Sequence, residues 1–159
     1  MKSLADHVRS FAGLEVVVIG DLMLDEHVHG EVLRISPEAP VPVLEVKDRE
    51  HSPGGAANAA ANVKSLGGHV RVIGVVGQDA QAETLKKLMA QRGLDVSLLV
   101  ADESRPTTHK SRLVARGQQI VRLDNEARHA LHDDVHKALV AQVEKAIASA
   151  HSVVISDYA

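Results

Sequence analysis

Gly54-Gly55-Ala56-Ala57-Asn58-Ala59-Ala60-Ala61-Asn62 is the stretch from which the rest of the chain can be read. Glycine reaches positive φ and lets other groups approach the backbone closely. The alanines after it are the strongest helix formers. A glycine turn feeding a helix directs N–H donors into the space ahead of the helix, where the macrodipole favours oxygen-rich or anionic ligands. Asn58 and Asn62 stand one helical turn apart and share a face. A buried asparagine there would offer donors and an acceptor matched to a pair of sugar hydroxyls. A tight turn into an alanine-rich packing helix is the plainer reading of the same residues.

The 159 residues suffice for one domain with a sizeable core. Apolar residues make up 45% and aromatics only 1%, so the core must be built from Val, Leu, Ile and Ala. Such a core suits a buried sheet covered by helices. Without cysteine there is no disulfide or thiolate metal site, which is compatible with a reducing compartment. No apolar run approaches a membrane span, no signal-peptide core opens the chain, and the cytoplasm is the expected location. A net charge of −3 argues against non-specific nucleic-acid binding.

Ser3 and Asp6 have capping-box spacing, and Leu4, Val8 and Phe11 mark one face of a short helix stopped near Gly13. The apolar run over 15–19 reads as a strand buried on both faces. Asp21 and Asp25 follow it, where open α/β sheets place ligands, and Asp25 is the stronger candidate. Residues 31–35 and 41–46 are short β pieces separated by prolines, expected at sheet edges as in a flap. A helix is expected over 56–66, a strand over 70–76, a helix over 81–92 and a third strand over 96–100. This alternation implies parallel strands with right-handed crossovers.

Residues 107–124 break the rhythm and read as a hairpin turning near Gly117. Lys110, Arg112 and Arg116 share parity on its first strand, with Leu113 and Ala115 opposite. One basic face on a β flap suits a ligand phosphate, and equally suits a solvated outer face. Val135, Leu139, Val143, Ile147 and Ala150 outline an amphipathic helix leading to a strand over 152–156. His132 and His136 have the spacing of metal ligands, but their context reads better as a charged first turn. His27 and His29 alternate beside Asp25 and are placed to line a pocket. The dinucleotide fingerprint is absent after the first strand.

The glycine–alanine stretch, with Gly67 and Gly77 at their spacings, resembles the N-terminal signature of the ribokinase-like (PfkB) sugar kinases. Within that family, GDLMLDEHVHG, RISPEAPVPV, PGGAANAAANV, QQIVRLD and VVISDYA resemble the members acting on heptose 7-phosphate in lipopolysaccharide precursor synthesis. The resemblance runs from about Val16 to Ala159. It implies a three-layer α/β/α fold with a small β lid, in which residues 1–159 are the sugar-binding part of one kinase domain and segments 31–46 and 107–124 form the lid. It implies that Asp25 grips sugar hydroxyls and that Gly54, Gly55 and Asn58 line the same site, with Asp157 nearby. Lys110 and Arg112 are the candidates for the sugar phosphate, on chemical grounds. The resemblance further implies ATP and Mg2+ as cofactors and a homodimer through the lid, with neither nucleic acid nor membrane as partner. Members of the family carry the catalytic base in a glycine-rich segment ending in Asp. No such segment occurs among these 159 residues, so the base and the nucleotide site are expected beyond them. The implied reaction is ATP-dependent phosphorylation at O1, giving the 1,7-bisphosphate. A kinase for another sugar or nucleoside, and a non-catalytic sugar-phosphate-binding or dimerising module, stay open as alternatives.

Overall fold

The structure, a computed structural model, describes residues 3–158. Helix α1 (Leu4–Arg9) begins at the expected capping box, with Ser3 Oγ accepting from Asp6 N–H and Asp6 Oδ2 accepting from Ser3 N–H. Strands β1 (Glu15–Gly20), β2 (Leu22–Ile35) and β3 (Pro42–Gly54) lead into helix α2 (Gly55–Ser65). Then come β4 (His69–Ile73), β5 (Val75–Val76), α3 (Ala80–Gln91) and β6 (Val100–Ala101). The hairpin β7 (Thr108–Ala115) and β8 (Gln118–Asn125), helix α4 (Asp133–Ile147) and strand β9 (Ser152–Ser156) complete the order.

Strands β4, β1 and β9 form a parallel sheet with β1 at its centre. Val16, Val18, Val70 and Val72 face α2 and α3, meeting Ala56, Ala57, Ala60, Leu85 and Met89. The alanines leave little side chain between α2 and the sheet, so the helix packs closely. On the opposite face Val17 and Ile73 meet Ala146, with Leu139 and Val143 of α4 packed against them. These are the three layers, and they explain why the strands read as unbroken apolar runs. Each fully buried Val or Leu contributes about 1.5–3 kcal/mol of transfer free energy.

A second sheet, ordered β3-β2-β7-β8, forms the lid. The β2–β7 pair is parallel and the other two pairs are antiparallel. Chain direction reverses between β7 and β8 at Arg116 (φ 50°) and Gly117 (φ 76°), two consecutive left-handed residues as a type I′ turn requires.

Several expectations need correction. Asp25, expected just past the end of β1, is itself inside a strand, because the chain resumes strand structure after Asp21 as β2. The flap strands are longer than 31–35 and 41–46, and β2 is interior along Met23–Gly30, where β7 pairs with it. Only its distal part, which pairs with β3 alone, has the edge character that the prolines suggested. The strand over 70–76 is broken at Gly74, where an added Cβ would come within 2.7 Å of Gly20 O and Leu22 Cγ. The departing β2 crosses there. The strand over 96–100 shrinks to Val100–Ala101, since Asp95 Oδ1 accepts from Ser97 N–H at 2.9 Å and turns the chain. Arg116 sits in the hairpin turn, not on the strand. Asn58 and Asn62 are exposed rather than buried.

Candidate functional site

Asp21 joins three segments where β1 hands over to β2. Its N–H donates to Ser156 O at 3.0 Å, its carbonyl accepts from Ala56 N–H at 2.9 Å, and its Oδ2 accepts from Tyr158 N–H at 2.8 Å. The end of β9 and the start of α2 are thereby fixed beside the root of the lid. One helix-start donor expected to face a ligand, Ala56 N–H, is instead consumed by Asp21. Gly54 caps α2 in an extended conformation with no side-chain bond, and Gly55 adopts φ +56° against the Asp21 carbonyl. A Cβ on Gly54 would lie 2.9 Å from Asp25 Cγ and 2.7 Å from Met23 Cγ, so glycine is what lets the Asp25 carboxylate lie over this backbone.

Alternation along the lid strands puts Met23, Asp25, His27 and His29 on one face of β2, and Thr108, Lys110 and Arg112 on the same face of β7. One row across the sheet reads Ser52, Asp25, Lys110, Asp124. Arg112 Nη1 donates diagonally to Asp25 Oδ1 at 2.5 Å, both side chains being largely shielded (25% and 20% exposed). Lys110 Nζ donates to Glu126 Oε2 at 3.0 Å and to Asp124 Oδ2 at 3.2 Å. Burial works against the Lys110 ammonium, yet the hydrogen bonds to Glu126 and Asp124 outweigh it and hold the group above the ordinary lysine value. Arg122 binds Asp124 through two N–H groups, and that contact, opposed by partial desolvation and aided by Lys110, keeps the Asp124 carboxyl low. Cations and carboxylates therefore alternate across this face and compensate one another.

A cavity of about 510 Å³ opens beside this ladder, bordered by Asp21, Met23, Thr108, Lys110, Glu126 and Tyr158 among others. The structure thus brings Asp25, Gly54, Lys110 and Arg112 into one patch with Gly55 adjoining. Asn58 lies one turn along α2, and Asp157 follows β9 between Ser156 and Tyr158, the two residues bound to Asp21. His27 and His29 stack at 6.2 Å on the same strand. His132 is the N-cap of α4, and both it and His136 are exposed. Sequence reasoning missed Glu126, the shorter of the two Lys110 contacts. Its signal was available in the parity of Arg122, Asp124, Glu126 and Arg128, which place a charged residue at every second position along β8 and just beyond.

A family model described as pfkB family carbohydrate kinase matches residues 14–159. The chain is 46% identical over 149 residues to the bifunctional protein HldE of Gluconacetobacter diazotrophicus, covering 94% of this chain and 31% of that protein. It is 43% identical over 144 residues to the bifunctional protein HldE of Vibrio atlanticus, covering 91% of this chain and 30% of that protein. The chain therefore spans about a third of the length of these relatives. Among solved structures, a carbohydrate kinase from Agrobacterium tumefaciens superposes with a TM-score of 0.69 at 21% identity, over 89% of this chain and 45% of the other.

Proposed function

The chain belongs to the pfkB family of carbohydrate kinases, and on that premise we propose that it forms the acceptor-binding part of an ATP-dependent heptose 7-phosphate kinase. The intact protein would transfer the γ-phosphoryl group of Mg-ATP to O1 of the sugar. The observation carrying this reading is the patch of Asp25, Gly54, Lys110 and Arg112 on one face of the lid sheet, beside the start of α2.

Phosphoryl transfer depends chiefly on positioning and charge neutralisation. The Asp25 carboxylate accepts hydrogen bonds from sugar hydroxyls, with Arg112 on Oδ1 fixing its orientation and Oδ2 lying over Gly54. Gly55 and Asn58 border the sugar on the helix side, and Asp157 borders it from the end of β9. Lys110 and Arg112 meet the 7-phosphate, Lys110 exchanging carboxylate partners for the more highly charged phosphate oxygens and Arg112 offering guanidinium N–H groups other than the Nη1 donor held by Asp25. Catalytic base and nucleotide pocket belong to the remainder of the kinase. The reaction requires ATP and so belongs in the cytoplasm. Leu33, Ile35, Val41 and Val46, all at least 47% exposed on the distal lid, support pairing of two lids in a homodimer.

The test compares two acceptors in the intact protein. Asp25→Ala is expected to weaken sugar binding by about 1.5–3 kcal/mol for each charged hydrogen bond lost, leaving ATP affinity unchanged. Lys110→Gln with Arg112→Gln is expected to penalise the 7-phosphorylated heptose far more than the unphosphorylated sugar, at fixed ionic strength. Equal, small effects on both acceptors would return the basic residues to a solvated face. Unchanged acceptor affinity in Asp25→Ala, measured by calorimetry, would remove the site altogether.

A further inference from the structure

The opposite face of the lid sheet carries a second polar cluster that acceptor binding does not use. Glu26 is only 5% exposed although it lies in the middle of β2. Its register partner on β3 is His51, and His109 lies diagonally across on β7. His109 Nε2 is 3.3 Å from Glu26 Oε2, and His51 Nε2 is 3.6 Å from Glu26 Oε1. One ligand-type atom from each of the three residues falls within 4.8 Å of the others. Ser111 Oγ donates to Glu26 Oε2 at 2.5 Å.

We propose that Glu26, His51 and His109 bind a divalent cation of borderline softness, with zinc as the best match, linking β3, β2 and β7 on the lid face away from Asp25. Zinc–nitrogen and zinc–carboxylate bonds of about 2.0–2.1 Å in a tetrahedron place neighbouring ligand atoms roughly 3.3 Å apart. The His109 separation from Glu26 Oε2 already matches that edge length, while His51 faces the other carboxylate oxygen, Oε1, so the metal enters once the partly exposed His51 ring turns toward the same oxygen. Two imidazoles and one carboxylate select zinc over magnesium or calcium, which prefer all-oxygen shells. Water fills the fourth position, and Ser111 orients the carboxylate from outside the coordination shell. Arg49 is the competitor: its Nη1 sits 2.7 Å from Glu26 Oε1, but its side chain is 55% exposed and can swing into solvent when a cation arrives. This site stands apart from the acceptor patch and does not depend on the kinase reading.

The experiment uses the intact protein stripped with a chelator, titrated with zinc against a chromophoric competitor, and with cobalt followed by visible absorption. The expected result is one zinc equivalent that disappears in Glu26→Gln and in the His51→Asn/His109→Asn pair, with tetrahedral cobalt bands lost in step. Arg49→Ala is expected to tighten zinc several-fold at the same one-equivalent stoichiometry and with an unchanged circular dichroism spectrum, which separates the gain from zinc capture by histidines of unfolded chain. An unchanged zinc equivalent in the double histidine variant would overturn the proposal. So would an Arg49→Ala protein binding zinc no more tightly than its parent, which would leave the cluster as a hydrogen-bonded network alone.

Discussion

Replacing Gly54 with alanine probes the acceptor patch without touching a functional group. Gly54 has φ −112° and ψ 174°, a conformation open to alanine, so the backbone imposes no penalty. Restricting the unfolded chain even favours the folded state by about 0.4–1 kcal/mol. The difficulty is the added Cβ, 2.7 Å from Met23 Cγ and 2.9 Å from Asp25 Cγ, where 3.4 Å marks ordinary contact. Met23 is flexible and can yield. Asp25 is held by Arg112, and its Oδ2, the atom nearest the added Cβ, must retreat by about an ångström to reach ordinary contact. Overpacking of this kind costs about 1–3 kcal/mol. Set against the entropic gain, the net loss of stability is near 1 kcal/mol, and urea denaturation measures it. Acceptor binding should suffer more, by about 1.5–3 kcal/mol for each charged hydrogen bond put out of reach. That is roughly a 10- to 150-fold rise in Kd by calorimetry on the intact protein. ATP binding should not change. A variant that binds acceptor as tightly as its parent would refute the link between Gly54 and Asp25. A loss of acceptor affinity that only tracks the unfolded fraction would refute it equally.

Two other residues give tests of the scaffold. Asp79 caps α3 by accepting from Ala82 N–H at 2.8 Å and also holds Thr107 N–H and Oγ at 2.8 and 2.7 Å, so Asp79→Ala should cost about 2–4 kcal/mol in urea denaturation. Burial opposes its charge, but the bonds from Thr107 and Ala82 prevail and hold the carboxyl below its ordinary value. Its stabilisation is therefore complete above the unfolded value of about 3.9 and lost as pH falls through the folded one, and stability below about pH 4 should fall less steeply in Asp79→Asn than in the parent. Arg116, left-handed at φ 50° in the hairpin turn, should be bettered by Asn, with Arg116→Asn raising stability by about 0.5–1 kcal/mol in thermal melts.

The parallel sheet and its helices were legible because their residues obey simple rules: apolar runs buried on both faces, and Leu85 and Met89 recurring on one side of α3. Recognition of the glycine–alanine turn supplied the three layers and the lid. The length of β2 was not legible. Leu22, Met23 and Leu24 are all buried, Glu26 is buried as a polar residue, and Asp25, His27 and His29 fall between, so neither a strict alternation nor a continuous apolar run marks the strand. Residues 96–99 look like a strand, yet the Asp95 side chain turns the chain before the strand can form. At the site, the sequence grouped Lys110 with Arg112 by parity, but not their carboxylate partners. Asp25 and Arg112 lie 87 positions apart and meet only because β2 and β7 pair in parallel.

The single non-strand residue at Asp21 makes β2 a lever. On one side of it lies β1, locked in the middle of the parallel sheet; on the other, fourteen residues run continuously to Ile35. At about 3.3 Å per residue that arm is roughly 45 Å long. A rotation of about 5° at its root therefore carries the tip through about 4 Å, while Met23 and Asp25, close to the pivot, move by only about an ångström or less. A swing of the far end of the lid would leave Asp25 nearly still over Gly54, where pairing with β3 and β7 and the three Asp21 hydrogen bonds hold the root.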